Sequence, residues 1–428
     1  MEDIIGDLTN IYLACIDSYT PRWRQTIDDK YKVMDKCLLA VYLYVLIIEN
    51  REINNASSTQ TLVNYLTRQA IYSEVGNLQY ETKDTEKMHI FNETMEKVVM
   101  DRFQYLNNRL KTLKFPYKTI VENDYTKLIQ FLEDISDYSI MKKIIHRGNK
   151  EAVNIYSDKC KHIKNLLNTI SRNDMFYKEK MEIIELIENE KFEDSIYGRL
   201  VSVLLNLKDV HRFSITSLLV DENVLFHQFM VAITSLCIAI YANNNLNENF
   251  DIYKTIVISL FHDFGEYTGA EITSHIKKYN ETTKKMFGEI EEAFEKQLRN
   301  KLGNKIYNYI KAMNENEPES YVCELMDKIH PFIKLYLEAY YYSNYTLVRQ
   351  ATFVYSKKLQ IFSRIDDIDG ISNKSFFKNL LIQHYIYLKE GILDANATIR
   401  SKYFTEDEIK KVRDEIKMLR ENPESFWN

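Results

Sequence analysis

Two imidazoles and two carboxylates sit in stretches too apolar to leave them unpaired. His227 lies in "ENVLFHQF", at the start of an apolar segment. His262 and Asp263 follow 35 residues later in "LFHDFGEYTGAE", and Asp327 lies in "ELMDKI", 64 residues beyond Asp263. An unpartnered charge in such surroundings is costly. Convergence of the four groups on one cation removes that cost, and a mixed nitrogen and oxygen set suits six-coordinate divalent Mn, Co, Ni or Fe, or Zn in less regular geometry. Four protein ligands leave roughly two positions for water and a phosphate oxygen, and the metal would then lower the pKa of that water and polarise the phosphoryl group. Glu266 is four residues from His262 and three from Asp263. Helical spacing puts it one turn along the same face, where a carboxylate can take a proton from water or give one to a leaving oxygen. An isolated His-Asp pair is more often structural, so the meaning of this one comes from its partners at a distance.

The elements that must position these residues read as helices. Only 10 Gly and 5 Pro interrupt 428 residues, few against typical shares of about 7% and 5%, and this favours long helices over β-meanders. Segments such as "YLNNRLKTLKF", "MEIIELIENEKF" and "IEEAFEKQLRNKL" carry apolar residues at i, i+3, i+4 and i+7, and hardly any run alternates with period two. The expected class is all-α. The 31 Tyr read as side chains with a buried ring and a wet hydroxyl. Polar breaks at 54–60, 242–249 and 314–320 mark loops. A length of 428 residues suggests two or three domains.

An internal repeat is expected as well. "MDKCLLAVYLYVLII" aligns with "FHQFMVAITSLCIAI", "IYSEVGNLQYETKD" with "LFHDFGEYTGAEIT", and "FLEDISDYSIMKKII" with "ELMDKIHPFIKLYL", at offsets of 192, 189 and 193 residues. Near-constant offsets are the mark of a duplicated helical unit. The divisions read this way are 1–190, 195–360 and a helical extension at 361–428, the last including the charged amphipathic run 406–421.

Composition excludes several classes. A net charge of −6 argues against a dominant nucleic-acid surface. Five Cys form no CxxC and no zinc spacing, as expected of buried thiols in a reducing compartment. Residues 1–20 lack the basic start of a signal peptide. The longest apolar run, 37–48, is shorter than the roughly 20 residues a membrane span needs. The expectation is a cytoplasmic protein with no membrane partner.

The pattern H…HD…D resembles the HD phosphohydrolase superfamily, and over 205–345 it is most similar to bacterial HD-domain 5′-deoxynucleotidases, the YfbR-like group. There an Arg-Trp pair stands fifteen residues before the first His and "ENV" five to three before it; here these are Arg212-Phe213 and 222–224. The family's HD-x-x-E, Thr-Gly and acidic residue read here as "HDFGEYTGAE", and its final "ADxL" as "LMDKI". The resemblance implies a helical fold around one divalent metal held by His227, His262, Asp263 and Asp327. It implies Glu266 as the catalytic carboxylate, Arg212 as the residue holding sugar and phosphate, and Glu271 in place of an Asp that contacts the nucleotide. Phe213 stands where the family has the Trp that disfavours a 2′-hydroxyl.

By the same alignment the N-terminal half has Asp35 at the first His, Ser73-Glu74 for His-Asp, Asn77 for the catalytic Glu, and Asp134 matching Asp327. It reads as a degenerate HD-like unit without metal, paired with the active unit as an intramolecular pseudo-dimer, with room for further self-association. His89, His146, His162, His330 and His384 show no partner set in the sequence. The expected activity is metal-dependent removal of phosphate from (deoxy)nucleoside 5′-monophosphates. The rivals are a dNTP triphosphohydrolase with the same ligands and a nucleotide-binding regulatory or scaffold protein.

Overall fold

The structure is a computed structural model describing residues 1–18, 33–71, 97, 100–118, 122–149, 152–212, 218, 220, 222–268, 280–313, 315–344, 347, 365–394, 402 and 404–423. Among the described residues the chain is all-α, with no strand beyond a single antiparallel bridge between His211 and Asn223. Phe213 and Glu271, and the Ser73-Glu74 and Asn77 of the N-terminal alignment, lie outside the described residues.

The helices that matter to the site follow in chain order: α1 (Glu2–Ser18), α2 (Val33–Arg51), α3 (Ala56–Ile71), α4 (Asp124–His146), α5 (Ala152–Leu166), α6 (Tyr177–Glu188), α7 (Ile196–Asp209), α8 (Val224–Asn245), α9 (Ile252–Phe261), α10 (Glu281–Ala312), α11 (Pro318–Tyr336), α12 (Lys374–Asp394) and α13 (Glu406–Glu421). α8 is the centre of the C-terminal half. It is apolar on every side, and a helix of that kind belongs in a core. It packs against α9 and α11, and also against α1, α2 and α7. α8 is the one described helix long and apolar enough to cross a membrane, but 89% of its apolar window is buried inside the protein. Its sides are therefore taken up by neighbouring helices.

One hydrophobic core runs through both halves of the chain, from Leu8 and Leu43 to Phe229, Ile258 and Phe332. A tyrosine anchors the halves to each other. Tyr42 of α2 donates to the Leu260 carbonyl at 2.6 Å, and its hydroxyl is 2.9 Å from Gln228 Oε1. Its ring packs on Phe261 and Phe264, edge-on to the first. Its hydroxyl is fully buried, in contrast to the wet hydroxyls expected of the tyrosines. At the far end, α13 begins with a capping box between Thr405 and Glu408 and buries Ile409, Val412, Ile416 and Leu419.

α12 carries a titration that the whole fold should feel. His384 is buried, its Nδ1 is bonded to the Leu380 carbonyl at 2.7 Å, and its Nε2 has no partner among the described residues. Burial pushes this imidazole down to about 4. The unfolded chain takes up the proton near pH 6.5 while the folded chain refuses it, so the stabilisation is complete above 6.5 and is lost as pH falls toward 4. The expected slope is about 1.4 kcal/mol per pH unit across that window. Urea midpoints at pH 7, 6 and 5 should fall more steeply for the wild type than for His384→Phe; parallel curves would show that His384 is not neutral in the folded state.

Candidate metal centre

The local sequence explains how each site residue is placed. In "ENV", Asn223 is the N-cap of α8, its side chain accepting from the Phe226 amide at 2.9 Å. His227 follows one turn into the helix. The chain before it folds back on itself: the Arg212 amide bonds to the Glu222 carbonyl at 2.8 Å and the Val224 amide to the Val210 carbonyl at 3.0 Å. That closure brings Arg212 beside the start of α8. Asp251 caps α9, accepting from the Lys254 amide at 3.0 Å, and α9 ends at Phe261, immediately before His262 and Asp263. Asp327 sits in the middle of α11, which starts with Pro318 at a first-turn position where a missing N–H costs nothing.

These elements bring His227, His262, Asp263 and Asp327 together. Their donor atoms all lie within 4.8 Å of one another. His227 Nε2 is 3.1 Å from Asp327 Oδ1, 3.3 Å from His262 Nε2 and 3.4 Å from Asp263 Oδ2. His262 Nε2 is 3.3 Å from Asp263 Oδ2 and 3.8 Å from Asp327 Oδ1. Metal–ligand bonds of about 2.1 Å put neighbouring donors about 3.0 Å apart in an octahedron and about 3.4 Å apart in a tetrahedron. The four atoms therefore surround a space of the right size for one transition-metal ion, and their chemistry fits one.

Both imidazoles also face the right way. His262 Nδ1 is 2.7 Å from the Ser259 carbonyl, to which it must donate, so Nε2 is the nitrogen that faces the centre. His227 Nδ1 is 3.2 Å from His330 Nδ1 and 3.7 Å from Glu222 Oε1. Such outer contacts fix the tautomer and aim of a ligating His. Burial holds His227 down to about 3, with the positive Arg212 working in the same direction, so it is neutral at neutral pH. Burial also opposes charge on His262, but the adjacent Asp263 outweighs it and raises the imidazole well above its ordinary value. Asp263 and Asp327 are both held below the usual carboxylate range. Burial works against this, and the cationic neighbours win: chiefly His262 for Asp263, and Lys328 for Asp327.

The imidazoles are fully covered, while the side chains of Asp263 and Asp327 are 22% and 12% exposed. The open face of the site is therefore the carboxylate face. Two cations border it. Arg212 Nη1 is 3.0 Å from Asp263 Oδ2, and Lys328 Nζ is 2.6 Å from Asp327 Oδ2. Glu266 is nearby in a different setting from the one its spacing suggested. The helix does not continue through it: His262 and Asp263 form a turn, and Glu266 lies in a short 3-10 helix, Phe264–Thr268, with its amide bonded to the Asp263 carbonyl at 3.0 Å. The tighter winding still sets it one turn past Asp263. The Tyr267 hydroxyl pins this turn by donating to Gln297 Oε1 of α10 at 2.9 Å.

His330, without an expected role, lies directly behind His227 and contacts Glu222 and Tyr12. Glu222 was visible only as the first letter of "ENV", and the position of Lys328 next to Asp327 was the only signal for it. Nothing in the sequence marked Tyr12. His162, also without an expected partner, is 3.3 Å from Asp134, whose carboxylate raises its basicity. Asp35, at the aligned first-ligand position, is buried and 3.5 Å from Lys208 Nζ. Asp134 pairs also with Lys159 at 3.6 Å.

Residues 199–382 match the family model described as 5′-deoxynucleotidase YfbR-like. Two bacterial relatives are the 5′-deoxynucleotidase VV1113 of Vibrio vulnificus (strain YJ016) and the 5′-deoxynucleotidase VP0926 of Vibrio parahaemolyticus serotype O3:K6 (strain RIMD 2210633). Each is 22% identical over 135 residues, which is 31% of this chain and 70% of the relative. No solved structure matches the chain. The similarity read from the motifs therefore holds for the part of the chain that contains all four converging side chains, and α1 to α6 lie outside it.

Proposed function

We propose that the chain is a metal-dependent phosphohydrolase that removes phosphate from (deoxy)nucleoside 5′-monophosphates. The observation that carries this reading is the convergence of His227 Nε2, His262 Nε2, Asp263 and Asp327 around a space sized for one ion, in the part of the chain similar to 5′-deoxynucleotidases. Held there, a divalent Mn, Co, Ni, Fe or Zn would polarise the phosphoryl group and acidify a water. Arg212 and Lys328 border the open face and are placed to bind the phosphate oxygens. Glu266 takes the proton of the attacking water as its oxygen bonds to phosphorus, and returns it to the 5′-oxygen as the P–O ester bond breaks. Phe213 and Glu271 keep the substrate roles the resemblance gives them. Phosphate release from a panel of nucleoside mono- and triphosphates, with and without added metal, tests the reading. Release from monophosphates only in the presence of metal supports it. Turnover of dNTPs alone would assign the site to triphosphate hydrolysis, and no turnover would leave a nucleotide-binding protein.

We read the chain as two HD-like units, 1–190 and 195–360, followed by the extension 361–428, with nucleotides as cytoplasmic substrates. α2, α3 and α4 follow one another as α8, α9 and α11 do, and the shared core supports an intramolecular pseudo-dimer. Where the second unit gathers its ligands, the aspartates of the first are paired with lysines: Asp35 with Lys208 of the second unit, and Asp134 and Asp137 with Lys159 of its own. Ammonium groups there can take the place of the ion. An apolar contact above about 1,200 Å² is expected between the units. Residues 195–428 expressed alone should self-associate or aggregate in gel filtration; a monomeric, fully active fragment would overturn the pseudo-dimer.

A further inference from the structure

We propose that Tyr12, on the first helix of the N-terminal half, is a positioning residue for the metal centre of the C-terminal half: its hydroxyl locks a buried Glu222–His330 pair against the back of His227. The inference rests on the metal-site reading above and adds to it a part of the chain outside the span similar to the nucleotidases.

The hydrogen bonds run one way. If His227 presents Nε2 to the ion, its Nδ1 carries the proton. His330 Nδ1, 3.2 Å away, must then accept, so the proton of His330 is on Nε2. His330 Nε2 lies 2.9 Å from the Tyr12 hydroxyl oxygen and 3.3 Å from Glu222 Oε2, and the Tyr12 hydroxyl donates to Glu222 Oε2 at 2.8 Å. Every donor has an acceptor, and the chain ends on a carboxylate. Glu222, Tyr12, His227 and His330 are all buried. Glu222 Oε2 takes the Tyr12 hydroxyl proton at 2.8 Å and so ends the chain as an acceptor. The Tyr12 ring meets the imidazole of His330 edge-on, with centroids 4.8 Å apart. Removing the hydroxyl leaves Glu222 Oε2 with the longer His330 contact and frees the imidazole to turn or change tautomer.

The arrangement has a counterpart in the other direction. α7, the first helix of the C-terminal unit, sends Lys208 to Asp35 of α2, the position aligned with His227. Tyr12 and Lys208 are 196 residues apart, close to the offset of the repeat. Each unit's leading helix thus reaches the ligand position of the other. In one direction it brings a cation where the ion is missing, and in the other a hydroxyl that secures the ligand of the ion that is kept.

The test uses the full chain with Co as probe. Loss of an outer partner of a ligating His typically weakens metal binding 10- to 100-fold. Tyr12→Phe keeps the ring, and its Co dissociation constant should rise by about tenfold or more, with an altered visible absorption band for the bound ion. In ¹⁵N-histidine spectra the Nδ1–H signal of His227 should broaden or shift. Tyr44→Phe is the control: it removes a buried hydroxyl that bonds the Ser58 carbonyl within the N-terminal half, and its Co affinity should match the wild type even if its melting temperature falls. If Tyr12→Phe does not fold, Glu222→Gln probes the same chain and should weaken Co binding likewise. Wild-type affinity and spectra in Tyr12→Phe, or equal weakening in Tyr44→Phe, would overturn the proposal and leave the metal site standing. A wild-type chain that binds no Co would remove both.

Discussion

Asp263→Ala should leave the protein without its ion and without hydrolytic activity. Wild-type chain prepared in Mn or Co should retain about one equivalent, since His227 is common to both groups of donors that converge among the described residues. Asp263 Oδ2 stands within 3.4 Å of both ligating nitrogens, so its removal takes away a charged donor shared by the whole cluster. Loss of the ion should cost several kcal/mol of transition-state stabilisation, or about a thousandfold in rate. Asp263→Asn separates charge from shape: it keeps an oxygen in place but removes the negative charge that holds His262 basic and pairs Arg212 at 3.0 Å. Its metal content should fall between the wild type and Asp263→Ala. Elemental analysis decides the matter. A variant retaining a full equivalent would take Asp263 out of the ligand set, and two equivalents in the wild type would overturn the single site.

The legible part of this site was the part that breaks a local rule. His227, Asp263 and Asp327 stand out because ionisable groups are out of place in apolar stretches, and their spacing matched a known pattern. The all-α class was equally plain from the scarcity of Gly and Pro and the helical periodicity. The supporting layer was hidden for the opposite reason. Tyr12 and Tyr42 are two of 31 tyrosines, at helix positions that any amphipathic tyrosine could occupy. Only the packing of α1 and α2 against α8 and α9 shows that their hydroxyls are buried at the centre. His330 follows Asp327 by three residues on one helix, a spacing that shares a face, but α11 alone does not reveal which residues lie opposite. The helical reading of Glu266 failed at the end of α9, because the periodicity does not register a switch from α to 3-10 winding over five residues.

That switch bears on the second expectation, that Glu266→Gln will keep its metal and lose its chemistry. Glu266 is held from three sides. Its amide is bonded to the Asp263 carbonyl, the next residue is tied to α10 through Gln297, and Phe264 packs against Phe261 and Tyr42. A carboxylate mounted on so constrained a turn keeps a fixed bearing on Asp263 without being one of the converging ligands. Gln is nearly isosteric and cannot accept a proton, so the turn, the ion and the positions of Arg212 and Lys328 should all persist. The expected result is an unchanged metal equivalent and a KM close to the wild type, with kcat lower by about 10²- to 10⁴-fold, the usual contribution of a positioned general acid or base. Steady-state phosphate release and elemental analysis on the same preparation are both needed, because the pair of readings assigns the residue. Loss of metal would make Glu266 a ligand. A raised KM at constant kcat would make it a substrate contact. An unchanged kcat would mean that the attacking water gives up its proton without Glu266.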